Sequence, residues 1–195
     1  MQRASIILLV CALGLALVTG GFLWRMGEQA PPGAAPSAAV GGPFALIDQN
    51  GHPRTDRDFH GHWVLLYFGY TYCPDVCPTT LALMANVLDR LGAKSERIVP
   101  LFITVDPERD TPDVLKKYLA AFGPRFVGLT GTPQAIAKAA HAYRVYYAKH
   151  KLAGGSYSVD HSSVIHLLDP DGKFVKTYDD AATPASIADD LKAQM

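Results

Sequence analysis

The chain has 195 residues, in which 18 lysine and arginine side chains are balanced by 18 aspartate and glutamate side chains. Because the two signs are interspersed, the composition lacks the basic face of a nucleic-acid-binding protein and excludes that class. With only three cysteines, a chain of this length is also not a small fold that depends on disulfides for its stability.

The first predicted element is a membrane-spanning helix at residues 4–24, where no side chain is charged. At about 1.5 Å per residue, such a helix matches the hydrocarbon core of a bilayer, which is about 30 Å thick. The run is longer than the apolar part of a signal peptide and lacks a good small-x-small cleavage site, so an uncleaved anchor is favoured. Cys11 lies inside the run and is interpreted as a small apolar residue of this helix.

The residues around this span predict its orientation. Arg3 precedes the span, and Arg25 follows it with Glu28 close behind. The positive-inside rule gives acidic residues little weight and favours an N-terminus in the cytoplasm. Because no Arg- and Ser-rich presequence for mitochondrial import precedes the span, we expect a bacterial inner-membrane protein whose remaining chain faces the periplasm.

The rest of the chain divides into a linker and one domain. Residues 28–42 are rich in proline, glycine and alanine and show no apolar periodicity, so they are predicted to form a flexible linker. Residues 43–195 are then long enough to form one domain with its own hydrophobic core.

Strands and helices are predicted to alternate along this domain. Continuous apolar runs at residues 63–69 and 98–105 predict central strands buried on both faces, and shorter candidates lie at residues 127–130 and 164–168. Three intervening segments begin with Thr-Pro, which is a typical helix start. The pattern predicts an α/β sandwich with a central, mostly parallel sheet and an antiparallel hairpin near the C-terminal end. The predicted helices begin at Thr111, at Thr132, at Thr183 and near Cys77, and the last of these is predicted to end at Gly92.

Two cysteines, Cys73 and Cys77, follow the first long apolar run in the sequence YFGYTYCPDVCPTTL. In sheets of this type, ligands gather beyond the carboxyl ends of the parallel strands. A thiol at a helix N-terminus lies at the positive end of the helix dipole, so we expect a lowered thiol pKa. Thiols four residues apart can face the same side and either close a disulfide or hold one metal ion. The simplest alternative is a pair of buried apolar thiols.

Further ligands must come from elsewhere, because two thiolates do not complete a tetrahedral metal site. His161, in the sequence VDHSS before a predicted strand, is the best candidate among the seven histidines. The simpler interpretation is a loop histidine bonded to backbone. Asp75 either adds a ligand or steers cations, or it is a solvated loop acid. His166 is expected to point to the opposite strand face and to be a packing or surface residue. Thiolates with an imidazole suit copper, including Cu(I), so the residues leave copper binding and thiol exchange as alternatives.

Five segments carry a resemblance to a known family: FALIDQNG, GHWVLLYFGYTYCPDVCP, LFITVDPERDTP, YRVYY and VDHSSVIHLLDPDGKFV. Together they resemble the SCO/SenC proteins, which assemble the copper centre of cytochrome c oxidase. The resemblance implies a thioredoxin-like fold, a single membrane anchor, and copper held by Cys73, Cys77 and His161. It also implies that the two cysteines cycle between dithiol and disulfide.

The function implied by this resemblance is that of a membrane-anchored copper chaperone. Such a protein delivers copper to the copper-binding subunit of cytochrome c oxidase or prepares the cysteines of that subunit. Other copper chaperones or thiol reductants are further expected partners. The alternative is a thiol-disulfide oxidoreductase that binds no stoichiometric copper.

A peroxiredoxin-like peroxidase is disfavoured, because the Thr-x-x-Cys pattern of that family is absent. Tyr70 lies three residues before Cys73, and Pro74 lies three before Cys77.

Two other groups of polar residues have less specific interpretations. The first forms either a second, weak metal site or an exposed polar turn and contains His52, His60 and His62. The second is interpreted as turn and capping residues and contains Asp106 and Asp110.

Overall fold

A computed structural model describes residues 40–195 of the chain. The predicted anchor at residues 4–24, with Cys11, and the linker up to residue 39 lie outside the described residues. Among the residues that are described, no helix has the length and apolar character needed to cross a membrane.

Nine strands are present in residues 40–195, and seven of them form one sheet. The other two, β6 and β7, pair only with each other in the strand pairing and form a separate hairpin. In chain order the strands are β1 (Ala45–Asp48), β2 (Pro53–Thr55), β3 (Trp63–Gly69), β4 (Ile98–Thr104), β5 (Val127–Thr130), β6 (Tyr147–Lys151), β7 (Tyr157–His161), β8 (Ile165–Leu168) and β9 (Phe174–Tyr178).

The middle of the large sheet is parallel. Its strand order is β2-β1-β5-β4-β3-β8-β9, and β4 pairs parallel to both β3 and β5. Antiparallel strands extend the sheet on both sides. All seven residues of β3 are buried, as a strand covered on both faces requires. The predicted α/β fold with a central, mostly parallel sheet is confirmed, and so is the C-terminal antiparallel hairpin, formed by β8 and β9.

Four α-helices begin where the sequence predicts. The Thr-Pro signals are confirmed, because each threonine side chain accepts a hydrogen bond from a backbone N–H in the first turn. The helices are α1 (Val76–Leu91), α2 (Pro112–Leu119), α3 (Pro133–Ala142) and α4 (Pro184–Gln194), and short 3-10 helices lie at Asp56–Phe59, Gly92–Arg97 and Ala153–Gly155.

The first helix, α1, has the amphipathic pattern of a helix that packs on a sheet. It packs against α4 and ends at Gly92, which has a positive φ of 55° that favours glycine. The inward side chains of α1 form part of the hydrophobic core and are Cys77, Leu81, Met84, Val87, Leu88 and Leu91.

We expect a chain that begins at Pro43 to remain soluble and to fold cooperatively, because it retains β1 and the buried ring of Phe44. This truncation removes the hydrogen bond from the N–H of Gly41 to the carbonyl oxygen of Ala142, at 2.8 Å. One such bond contributes about 0.5–1.5 kcal/mol. Thermal unfolding of residues 43–195 should therefore be a single transition slightly below that of residues 40–195. Aggregation of both fragments under reducing conditions, without cooperative unfolding, would contradict the predicted domain.

Candidate metal centre

Three of the predicted site residues converge beside the carboxyl end of β3. One potential ligand atom from each of Cys73, Cys77 and His161 lies within 4.8 Å of the others. The shortest described contact joins Sγ of Cys77 to Nε2 of His161, at 3.3 Å. Within residues 40–195, the part of the chain that the structure describes, these three side chains form a group that lies close enough together to hold a metal ion.

Cys77 occupies the buried end of the cluster, in the first turn of α1. Its side chain is fully buried, and the hydroxyl of Tyr67 on β3 donates a hydrogen bond to its Sγ at 3.6 Å. Gly69, the last residue of β3, makes this close packing possible. A Cβ atom at that position would lie 2.7 Å from Sγ of Cys77 and 2.9 Å from the ring of Phe102. A larger residue would therefore displace the thiol from β3.

Cys73 lies in the loop before α1 and is partly exposed. Its backbone N–H donates to the carbonyl oxygen of Tyr70 at 3.2 Å. Its Sγ accepts a hydrogen bond from the backbone N–H of Cys77 at 3.4 Å. The first N–H groups of a helix have no partner within the helix, so the sulfur satisfies one of them, and the same donor would stabilise a thiolate.

The lowered thiol pKa that a position at the start of a helix predicts is wrong for Cys77. Burial raises the pKa of this thiol from its ordinary value of 9.0 to about 12. The largest cause of this shift is the loss of solvation of the thiolate. In the metal-free protein the Cys77 thiol keeps its proton at neutral pH, and a cation must displace that proton in order to bind.

His161 is the last residue of β7, so it reaches the thiols from the separate hairpin and not from a loop that enters the large sheet. Its Nδ1 lies 3.1 Å from the carbonyl oxygen of Ser162. Because a carbonyl oxygen can only accept, the proton of the neutral ring lies on Nδ1, and the lone pair of Nε2 faces Cys77. Burial lowers the pKa of His161, which favours this neutral form. The Nε2 lone pair is therefore available to bind a metal ion.

Asp110 is more than the turn or capping residue that its sequence context predicts, because its carboxylate is fully buried below the Cys73 loop. It accepts hydrogen bonds from the backbone N–H of Thr71 at 3.0 Å, from the hydroxyl of Thr71 at 2.6 Å and from the hydroxyl of Thr104 at 2.6 Å. Burial raises the pKa of this carboxyl. Asp110 thereby ties the loop that carries Cys73 to the end of β4.

Asp106 is also fully buried and also has a role that sequence reasoning missed. It forms an ion pair with Arg109 and accepts a hydrogen bond from the hydroxyl of Tyr157 at 2.8 Å. Tyr157 belongs to β7, the strand that ends in His161. The signal available in the sequence is the position of Asp106 directly after the apolar run at residues 98–105, at the edge of the sheet where ligands gather, with Asp110 four residues later in the same loop.

The other candidate residues lie outside the cluster. Asp75 occupies the N-cap position of α1, but its side chain accepts no capping hydrogen bond and is exposed. His166 is buried on β8, where Nδ1 lies 3.1 Å from Oγ1 of Thr177, so of the two predicted alternatives, packing or surface, it is a packing residue. In the described part of the chain, three further histidines join no group of at least three potential ligands, which leaves the second metal site without support. These are His52, His60 and His62.

Comparisons with known proteins place the cluster in a family context. Residues 32–195 match the model of the SCO1/SenC family. The copper-bound structure of ScoI from Bradyrhizobium japonicum is 46% identical, with a TM-score of 0.76 over 80% of this chain and 100% of that one. Copper-bound ScoI from Arabidopsis thaliana is 42% identical, with a TM-score of 0.76 over 80% of this chain and 98% of that one.

A curated relative, the human mitochondrial protein SCO2 homolog, is 43% identical over 175 residues. The match covers 88% of this chain and 66% of the human protein. The chain spans about half to two thirds of the length of the first curated relatives that it matches.

The different burial of the two thiols predicts different reactivity. In a reduced, metal-free chain carrying Cys11→Ser, we expect iodoacetamide at pH 7.5 to modify Cys73 at least about tenfold faster than Cys77, because the thiolate is the nucleophile and must be accessible. Mass spectrometry of the proteolysed chain at successive times measures both rates. In denaturant the two rates should converge, and equal rates in the folded chain would contradict the described burial.

Proposed function

The chain belongs to the SCO1/SenC family, and on this basis we propose that it is a copper chaperone whose Cys73, Cys77 and His161 hold one copper ion as cargo. The observation that carries the proposal is the convergence of two thiols and a neutral imidazole within 4.8 Å. Soft thiolates with an imidazole suit copper, including Cu(I), better than they suit hard cations. The site also lacks a described carboxylate ligand, in keeping with a soft metal.

Loading of the site releases protons. Copper arriving from solvent or from a donor protein meets Cys73 first, because that thiol is the partly exposed one. The Cys77 thiol, whose pKa burial raises to about 12, gives up its proton only when the cation replaces the lost solvation. The Nε2 lone pair of His161 completes the set without losing a proton, because the ring proton is directed to Ser162. Copper affinity should therefore rise with pH.

A second candidate function, thiol-disulfide exchange, is favoured by the unequal exposure of the two cysteines. Cys73 attacks one sulfur of a partner disulfide as a thiolate, which gives a mixed disulfide and releases the partner's other sulfur as a thiolate. Cys77 then loses its proton and attacks Cys73 Sγ, which frees the partner's second thiolate and closes the Cys73–Cys77 disulfide. The dithiol has lost two electrons and two protons, and the partner disulfide has gained them. The same two residues thus prepare a partner's cysteines for copper.

The proposed setting is the periplasmic face of a bacterial inner membrane. Residues 4–24 would anchor the chain, residues 28–42 would act as a flexible linker, and residues 43–195 would form the thioredoxin-like copper-binding domain. The length and charge-free character of the anchor segment support this arrangement. The family resemblance supports the copper-binding subunit of cytochrome c oxidase as the recipient, with other copper chaperones or thiol reductants as further partners.

We predict that the reduced chain binds one copper ion and that a Cys73–Cys77 disulfide abolishes binding, because disulfide sulfurs do not supply the anionic ligands that thiolates do. Titration of a Cys11→Ser chain with Cu(I) and with Cu(II), against a competing chelator, measures stoichiometry and affinity in both states. Undiminished binding by the fully oxidised chain would rule out the proposed site.

We predict that His161→Ala weakens copper binding while leaving the disulfide able to form, because Cys73 and Cys77 remain adjacent. Changes around the ligands of a metal cost about 10–100-fold in affinity, so loss of a ligand should cost at least that much. His62→Ala, which removes an exposed histidine, is the matched control and should bind copper as the parent does. Equal affinities of the His161→Ala and parent chains at the same pH would show that His161 is not a ligand.

A further inference from the structure

Arg109 lies between the two elements that bring the candidate ligands together. Its guanidinium carbon is 3.8 Å from the ring centroid of Tyr157 and 4.6 Å from that of Tyr72. Tyr157 is the first residue of β7, whose last residue is His161. Tyr72 directly precedes Cys73. One side chain therefore contacts both the strand that ends in the imidazole and the loop that carries the exposed thiol.

The guanidinium is held in this position by polar contacts. Its Nε pairs with the buried carboxylate of Asp106, and Nη1 donates to the carbonyl oxygen of Tyr157 at 3.0 Å. The hydroxyl of Tyr157 donates to the same carboxylate at 2.8 Å. Nη2 is buried and has no hydrogen-bond partner among the described residues, so the flanking rings and the ion pair have to offset its desolvation.

The hairpin that carries His161 is attached to the rest of the domain by side chains: Val159 is buried in the core, and the ring of His161 contacts those of Tyr67 and Tyr70. β6 and β7 pair with each other and with no strand of the seven-stranded sheet. A two-stranded hairpin is marginally stable alone in water, so side-chain contacts must set its position. One is the hydrogen bond from the N–H of Val159 to the hydroxyl of Tyr70, at 3.4 Å. Lys149 of β6 pairs with Glu108 at 2.8 Å and also with the buried carboxylate of Asp106 at 3.7 Å. Solvent screens the pair with Glu108, so that pair contributes less.

We propose that Arg109 is a positioning residue for copper capture: with Asp106, it pins the β6–β7 hairpin to the Cys73 loop and so holds Nε2 of His161 beside the thiols before the metal arrives. The inference rests on the proposed copper site and adds a residue that acts on it without touching the ion. A ligand set that is already assembled binds more tightly, because less ordering accompanies binding. A lysine lacks the planar group that lies between two rings and should substitute poorly.

The first test measures the hairpin without copper. The experiment uses the reduced full-length chain, purified in mild detergent. Arg109→Met removes the charged, planar guanidinium group but keeps an apolar side chain. We expect amide hydrogen exchange in residues 147–161 to accelerate at least about tenfold, with β3 and β4 unchanged. Arg109→Lys should restore less than half of the lost protection. Unchanged exchange in the hairpin would overturn the proposal.

Two further variants separate this effect from general loss of stability. Arg125→Met removes an arginine that bonds Ser95 and Ile98 on another part of the fold, so any faster exchange should not be confined to the hairpin. Tyr72→Leu removes only the ring on the loop side, and that ring is 62% exposed, so folding should be retained. It should accelerate hairpin exchange in the same direction and by a smaller factor. Hairpin exchange as slow as in the parent would count against the proposed contact.

The second test asks whether Arg109 acts through His161. Arg109→Met should lower copper affinity about tenfold in the parent chain and have no further effect in the His161→Ala chain. An equal loss in both backgrounds would show that Arg109 does not act through the imidazole and would overturn the positioning role. If the parent chain binds no copper, the proposed function fails, and the exchange experiment still decides whether Arg109 holds the hairpin.

Discussion

The contact between Sγ of Cys77 and Nε2 of His161, at 3.3 Å, is the constraint on which the rest of the site depends. It joins residues 84 positions apart in the chain, one at the start of a helix and one at the end of a hairpin. Three local features make it possible. Gly69 leaves space for the thiol against β3, the carbonyl oxygen of Ser162 directs the imidazole proton away, and contacts around Arg109 hold the hairpin in place.

The two thiols have different environments, so the site has one accessible side, at Cys73, and one buried side, at Cys77. Cys77 is buried, hydrogen-bonded by Tyr67 and protonated in the metal-free state, so it suits the retention of an ion. Cys73 is partly exposed in the loop that Asp110 supports, so it suits contact with another protein. In the proposed function, copper or electrons therefore enter and leave on the Cys73 side. A symmetric pair of exposed thiols would exchange faster and hold a metal less securely.

The sequence predicts the features that depend on neighbouring residues. The long apolar runs of β3 and β4 and the Thr-Pro helix starts are found as predicted, because burial on both faces and helix capping leave local patterns. β1 was missed because one of its buried positions holds the polar Asp48 while Ile47 is exposed, so the usual apolar alternation is absent. β6 was missed because none of its residues is fully buried. The raised pKa of Cys77 was missed for a related reason: the adjacent proline and acid suggest exposure, whereas the covering side chains come from β3 and β7. The burial of Asp106 depends on Tyr157, 51 residues away, and the local sequence shows only that this acid follows a predicted strand.

X-ray absorption spectroscopy of the copper-loaded, reduced chain identifies the atoms bound to the metal. We expect two sulfur atoms and one imidazole nitrogen around each copper ion, supplied by Cys73, Cys77 and His161. In the His161→Ala chain the imidazole scattering should disappear while the two sulfur atoms remain. Nitrogen and oxygen atoms alone around the copper ion, or an imidazole signal that persists in the His161→Ala chain, would contradict the proposed site.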